Sequence, residues 1–90
     1  VNIPSNARWR EDIEALAREA LDSRLPLHHF MEDLARDARY GWMKDAESNR
    51  QRFFRWKVYS LRHGDSGTTW SMTPFRMDAN GPYWVPPDVP

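Results

Sequence analysis

Ser48-Asn49-Arg50-Gln51-Arg52-Phe53-Phe54-Arg55-Trp56-Lys57-Val58-Tyr59-Ser60-Leu61-Arg62 is the stretch on which the fold turns. It opens on a capping-box pattern, in which Ser48 and Gln51 each satisfy an otherwise orphan backbone donor, and this predicts a helix from about Asn49 to Arg62. With successive residues about 100° apart, Phe53, Phe54, Val58 and Leu61 share one arc while Trp56 and Tyr59 point away from it. A helix with two apolar sides needs two covers. One is expected from the helices before it, the other from the tail, where Trp70, Phe75, Tyr83 and Trp84 occur without periodicity; otherwise the second cover is a partner.

Working toward the N-terminus, Trp9, Ile13, Leu16, Ala17, Ala20 and Leu21 recur at three- and four-residue steps, with Arg10, Glu11, Glu14, Arg18 and Glu19 on the opposite face. This spacing marks an amphipathic helix, capped by Ser5 or Asn6. Asp22-Ser23 reads as the next helix start, just before Pro26, which a first turn tolerates. A second helix follows from Leu27, Phe30, Met31, Leu34, Ala35 and Ala38, with Gly41 expected to end it. Tyr40, Trp42 and Met43 form an apolar knot, too short for a regular element and too hydrophobic for a solvated loop. Towards the C-terminus the texture changes at Gly64, after which Pro, Gly, Ser, Thr and Asn concentrate. The expectation is a helical core over residues 1–64 and an extension over 65–90 that packs on it and ends in a Pro-rich linker, Pro86 to Pro90.

Composition narrows the function classes. Ninety residues make one small domain, and the 13% of aromatics, five of them Trp, supply few but large side chains for burial. Thirteen Lys and Arg balance thirteen Asp and Glu, so no net field points to nucleic acid or an anionic membrane. The absence of Cys removes disulfides, thiolate metal sites and Cys nucleophiles. No apolar stretch approaches a membrane span. A chain that begins at Val1 without Met suggests an excised piece of a longer protein, and the domain is expected to be a monomeric unit of a multidomain chain.

Three motifs could carry chemistry, and each has a plainer reading. Gly64-Asp65-Ser66-Gly67, next to His63, matches the tetrapeptide around the nucleophile of chymotrypsin-like proteases, but these are the residues that turns select. His28 and His29 diverge on a helix and lack further converging ligands, so no metal or cofactor is expected. Arg50, Arg52, Arg55, Lys57 and Arg62 lie on the third helix without one acid between Ser48 and Gly64, interleaved with aromatics, which makes RNA contact an alternative reading. The stretch from Arg10 to Asp37 carries eight acids against four arginines, so the basic helix also complements its own neighbours.

Taken in order, these features resemble the SURP family, most closely the SURP domain of U2 snRNP-associated SURP-motif proteins. Ile13 to Ala20 is similar to the family's opening helix, Tyr40-Gly41-Trp42-Met43 to its aromatic knot, and Phe53 to Ser60 to its paired-aromatic helix. Gly64-Asp65-Ser66, Trp70, Phe75-Arg76-Met77, Asn80-Gly81 and Trp84 to Pro87 resemble the extension of the snRNP-associated subgroup. The family's first helix normally ends in Gly where this chain has Ala20, so the helix is expected to run on, and residues are inserted between Ala20 and Tyr40. The resemblance implies an all-α, three-helix module with a short 3-10 turn between helices two and three and an irregular extension packed on helix three. It also implies a nuclear, non-catalytic function: binding a short amphipathic helix of another spliceosomal protein, splicing factor 1 or a U2 snRNP subunit, in a hydrophobic groove. On that reading the groove residues are Leu16, Ala20, Phe30, Met31, Tyr40 and Met43, with Lys44 at the rim.

Overall fold

Helix α1 (Ala7–Ser23) starts where the Asn6 side chain accepts hydrogen bonds from the N–H groups of Arg8 and Trp9, at 2.9 and 3.3 Å. Two of the donors that a helix start leaves orphaned are thereby satisfied. The computed structural model in which this is seen describes residues 1–89; Pro90, the last residue of the Pro-rich run, lies outside the described residues. Ile13, Leu16, Ala17 and Ala20 form the buried stripe of α1. The helix runs on past Ala20, as expected, and the left-handed residue that ends it is Arg24, at φ 58° and ψ 11°. Ser23 closes α1 rather than opening the next helix: its hydroxyl donates to the Ala20 carbonyl at 2.7 Å and accepts from the Leu25 N–H at 3.2 Å.

Helix α2 (Leu27–Leu34) begins directly after Pro26, with no side-chain cap, and is shorter than its apolar stripe predicts. The reason lies at Asp37, whose backbone is extended and whose carboxylate accepts from the Arg39 N–H at 3.0 Å. Asp37 thus caps a new element, the 3-10 segment Ala38–Lys44, which is kinked at Tyr40. The apolar knot of the sequence is this segment, and Gly41 sits inside it instead of ending α2.

Helix α3 (Asn49–Arg62) has the bounds expected. Ser48 Oγ accepts from the Gln51 N–H at 3.4 Å, which is one half of the capping box. The other half does not form, because the Gln51 side chain donates to the Met43 carbonyl at 3.3 Å and the Ser48 N–H turns to the Asp45 carbonyl. Gln51 therefore ties the 3-10 segment to α3. The far end closes as a Schellman motif, in which the Gly64 N–H reaches the Leu61 carbonyl and the Asp65 N–H reaches that of Ser60. Gly64 holds the positive φ this requires, 89°.

Both apolar sides of α3 are covered. On one side α1 supplies Ile13 and Ala17, both fully buried, while the Phe30 ring of α2 stacks over Phe54 and Trp42 meets Phe54 edge-on. On the other side the extension returns. Trp70 lies edge-on to Trp56 at 5.1 Å between ring centres, Phe75 stacks on Tyr59 at 3.9 Å, and Trp84 follows Phe75 at 6.3 Å. The extension contains one regular element, a hairpin of β1 (Phe75–Arg76) and β2 (Tyr83–Trp84), paired antiparallel as Phe75 with Trp84 and Arg76 with Tyr83. Directly paired residues share a face, so Phe75 and Trp84 go inward while Tyr83 is left outward and exposed. Pro86 and Pro87 are buried, which corrects their reading as linker: the Trp70 indole donates to the Pro87 carbonyl, and the Val1 backbone nitrogen to that of Val85. Among the described residues no helix is long and apolar enough to cross a membrane.

Candidate partner-binding groove

One face of α2 and its C-terminal cap presents His28, Met31, Glu32, Ala35 and Arg36, at the three- and four-residue spacing that makes one side of a helix. The kinked 3-10 segment brings Met43 and Lys44 opposite them, leaving a groove of about 540 Å³. Its floor is apolar, with Ala35 and Met43 buried and Met31 half-buried. Thioether side chains adapt their shape to an incoming surface. The rim is polar and exposed, with Glu32 on one hand and His28, Arg36 and Lys44 on the other. No residue of α2 is fully buried, so its stripe of Leu27, Phe30, Met31 and Leu34 is covered only in part by the rest of the chain.

Of the seven residues expected in the groove, Met31, Met43 and Lys44 come together there. Leu16 and Ala20 do not: at 7% and 4% exposure they belong to the core under α1. Phe30 is committed to Phe54, and Tyr40 lies edge-on to Trp42 with the Arg39 guanidinium over its ring. His28, Glu32, Ala35 and Arg36 were not expected. Their signal was present as a common helical face, but the polar residues among them read as an ordinary solvated side. Asp37, which starts the 3-10 wall, is held below its ordinary carboxyl range by hydrogen bonds from the Arg39 side chain and then the Arg39 N–H; the pair is closed by a 2.7 Å salt bridge.

The five basic residues of α3 do not form one stripe. Arg50 lies over the Trp9 ring at 3.7 Å and Arg55 over Trp84 at 5.0 Å, while Arg52 pairs with Glu47 and donates to the Ala46 carbonyl. Arg62 is exposed at the end of the helix. Lys57 corrects the RNA-contact reading most directly, because it is 2% exposed and its ammonium lies within 6 Å of the rings of Phe53, Trp56 and Trp70. Burial holds the Lys57 ammonium below the usual lysine range, with the nearby Glu14 carboxylate pulling the other way.

The protease-like tetrapeptide is a turn in which Gly64, Asp65 and Ser66 each have a structural partner. The Ser60 hydroxyl, fully buried, donates to Asp65 Oδ2 at 2.8 Å, and Ser66 Oγ accepts from the Thr68 and Thr69 N–H groups. His63 Nδ1 is hydrogen-bonded to the Tyr59 carbonyl oxygen at 2.8 Å. Among the described residues no group of His, Asp or Glu is placed to hold a metal ion.

With this geometry in hand, comparison with known proteins is decisive at the level of family. Residues 26–70, half of the chain, match the Surp module family. The chain belongs to the Surp module family. The matched stretch of this Surp module takes in α2, the 3-10 segment, α3 and the turn up to Trp70, and thus both walls of the groove. Beyond the family, the Surp module is similar to Protein RRC1 and Protein RRC1-like of Arabidopsis thaliana, at 25% and 23% identity over 88 residues. That similarity covers 97% of this chain, α1 and the hairpin included, but 9% of each relative's length. No solved structure matches the chain.

Proposed function

We propose that this Surp module is a protein-interaction module of a nuclear pre-mRNA splicing factor, receiving a short amphipathic helix from another splicing factor in the groove between α2 and the 3-10 segment. The observation that carries this reading is the groove itself, an apolar floor of Met31, Ala35 and Met43 within a charged rim. Helix-in-groove recognition uses these parts: apolar anchors at helical spacing enter the floor, and flanking charges set orientation and association rate. Splicing factor 1 and U2 snRNP subunits are the partner class that the family resemblance implies. The module would act by binding alone, with no catalytic step and no cofactor.

The test is an NMR titration of the isotopically labelled domain with a helical peptide from splicing factor 1. Saturable shifts confined to α2 and the 3-10 segment are expected, together with an affinity loss of roughly tenfold in Met31→Ala, for the deletion of about 1–2 kcal/mol of apolar contact. A titration without saturable shifts in those elements would overturn the reading.

A further inference from the structure

Formal neutrality conceals a division of charge along the chain. Residues 1–47 hold seven Lys and Arg against ten Asp and Glu, whereas residues 48–90 hold six against three, a net of −3 followed by a net of +3. The extension sets its exposed aromatic surface in the positive half. Tyr83 is 64% exposed, and the Arg76 guanidinium lies 4.5 Å from its ring centre, covering one face and leaving the other open. Trp84 is half-buried beside Arg55. Between β2 and the start of α3 runs a cleft of about 440 Å³ whose walls include Arg52, Tyr83 and Trp84, with Glu47 on Arg52 at 3.2 Å as its acid.

We infer that this cleft and the aromatic rings bordering it bind a short segment of single-stranded RNA, stacking a base on the open face of Tyr83 and setting phosphates against Arg52 in the cleft and against Arg55 and Arg76 beside the Trp84 and Tyr83 rings. Flat aromatic faces interleaved with guanidinium groups are what unstacked bases on a flexible polyanion require. An acidic peptide would satisfy the charge but leave the aromatic faces unused, and a duplex would keep its bases stacked on one another. The surface differs from the basic stripe expected of α3, since Arg76, Tyr83 and Trp84 come from the hairpin and neither Arg50 nor Lys57 takes part. It is also separate from the proposed helix-binding groove, sharing none of its lining residues.

The test is NMR and fluorescence-anisotropy titration of the domain with three probes: a mixed-sequence single-stranded RNA octamer, the same octamer annealed to its complement, and an octaglutamate peptide. The single strand is expected to bind saturably with shifts at Arg55, Tyr83 and Trp84. Log affinity should fall with log salt at a slope of about −2, from roughly 0.7 per phosphate over three arginines. Tyr83→Ala, at an exposed position that opens no cavity, should weaken binding by about tenfold, within the range that one lost base–aromatic stack allows. Glu47→Gln, which frees Arg52 of its acid, should tighten binding, a gain that no folding defect imitates. Absence of saturable shifts, equal or tighter binding of the duplex or the octaglutamate, or an unchanged affinity in Tyr83→Ala would each overturn the inference.

Discussion

The indole Nε1 of Trp70 donates a hydrogen bond to the carbonyl oxygen of Pro87 at 2.7 Å, joining points seventeen residues apart in a segment that has almost no regular structure of its own. The bond is buried, and it fixes the last turn of the extension over Trp56, which is 1% exposed. The extension is thus a wall of the core, held by aromatic packing and by single hydrogen bonds from Trp70 and Val1 rather than by a ladder.

Trp70→Phe keeps the ring packing but leaves the Pro87 carbonyl without its donor. A buried acceptor stranded in this way costs about 1–3 kcal/mol, and at roughly 4–8 °C per kcal/mol for a domain of this size the Tm should fall by about 4–24 °C. Truncation after Gly64, which strips Trp56 and Tyr59 of their cover, should abolish cooperative unfolding altogether. A truncated chain that melted at the parent temperature would show that the extension is not part of the fold.

Arg24→Gly should raise stability by about 0.5–1 kcal/mol. The left-handed conformation costs a residue with Cβ about 1–2 kcal/mol, and the greater freedom of Gly in the unfolded chain takes back part of the gain. Arg24 is exposed and makes no side-chain hydrogen bond or salt bridge among the described residues, so little is lost with it. Chemical denaturation reads this directly, and a loss of stability would mean that the helix end takes another conformation in solution.

Lys57→Met should raise the Tm by a few degrees at neutral pH. An ammonium enclosed by Phe53, Trp56 and Trp70 loses hydration that its cation–π contacts restore only in part, and an apolar side chain of similar length fills the same space. Because burial lowers the folded-state pKa, the unfolded chain binds the proton more tightly between that value and the ordinary lysine value of 10.5. Wild-type stability should therefore rise relative to the variant as pH climbs through this window, and the gap between the two should narrow. A gap independent of pH would show that Lys57 keeps its ordinary pKa in the fold.

Ala20→Leu should destabilise the domain by about 1–3 kcal/mol through overpacking of the core under α1, while peptide affinity per folded molecule is unchanged. A binding defect larger than the folding defect would instead return Ala20 to the groove.

The legible part of this protein lay in α3 and what flanks it. Ser48 and Gly64 act through local geometry, one accepting a backbone hydrogen bond and the other holding a positive φ, so their roles follow from position. The demand of Trp56 and Tyr59 for a second cover was equally readable, because an exposed aromatic pair on a helix already covered on its other side has few alternatives. The end of α2 was not, since Asp37 competes with an apolar stripe that continues to Ala38, and the winner depends on how the 3-10 segment docks through Gln51. The groove was half visible: Met31, Met43 and Lys44 were singled out, but the polar members of the same wall look like any solvated face until a second wall stands opposite them.

By itself the sequence determined the helical class, the bounds of α3, the turn at Gly64 and the need of α3 for a second cover, all of which rest on interactions within a few residues or on the burial demand of large aromatic rings. Only the tertiary structure decided that Lys57 is enclosed while Tyr83 is exposed, that Leu16 and Ala20 are core while His28 and Arg36 line a groove, and that Pro86 and Pro87 are buried. Those outcomes depend on which surface of one element meets which surface of another. A spacing pattern names the face a residue occupies, but whether that face meets protein or solvent is settled by residues distant in the chain.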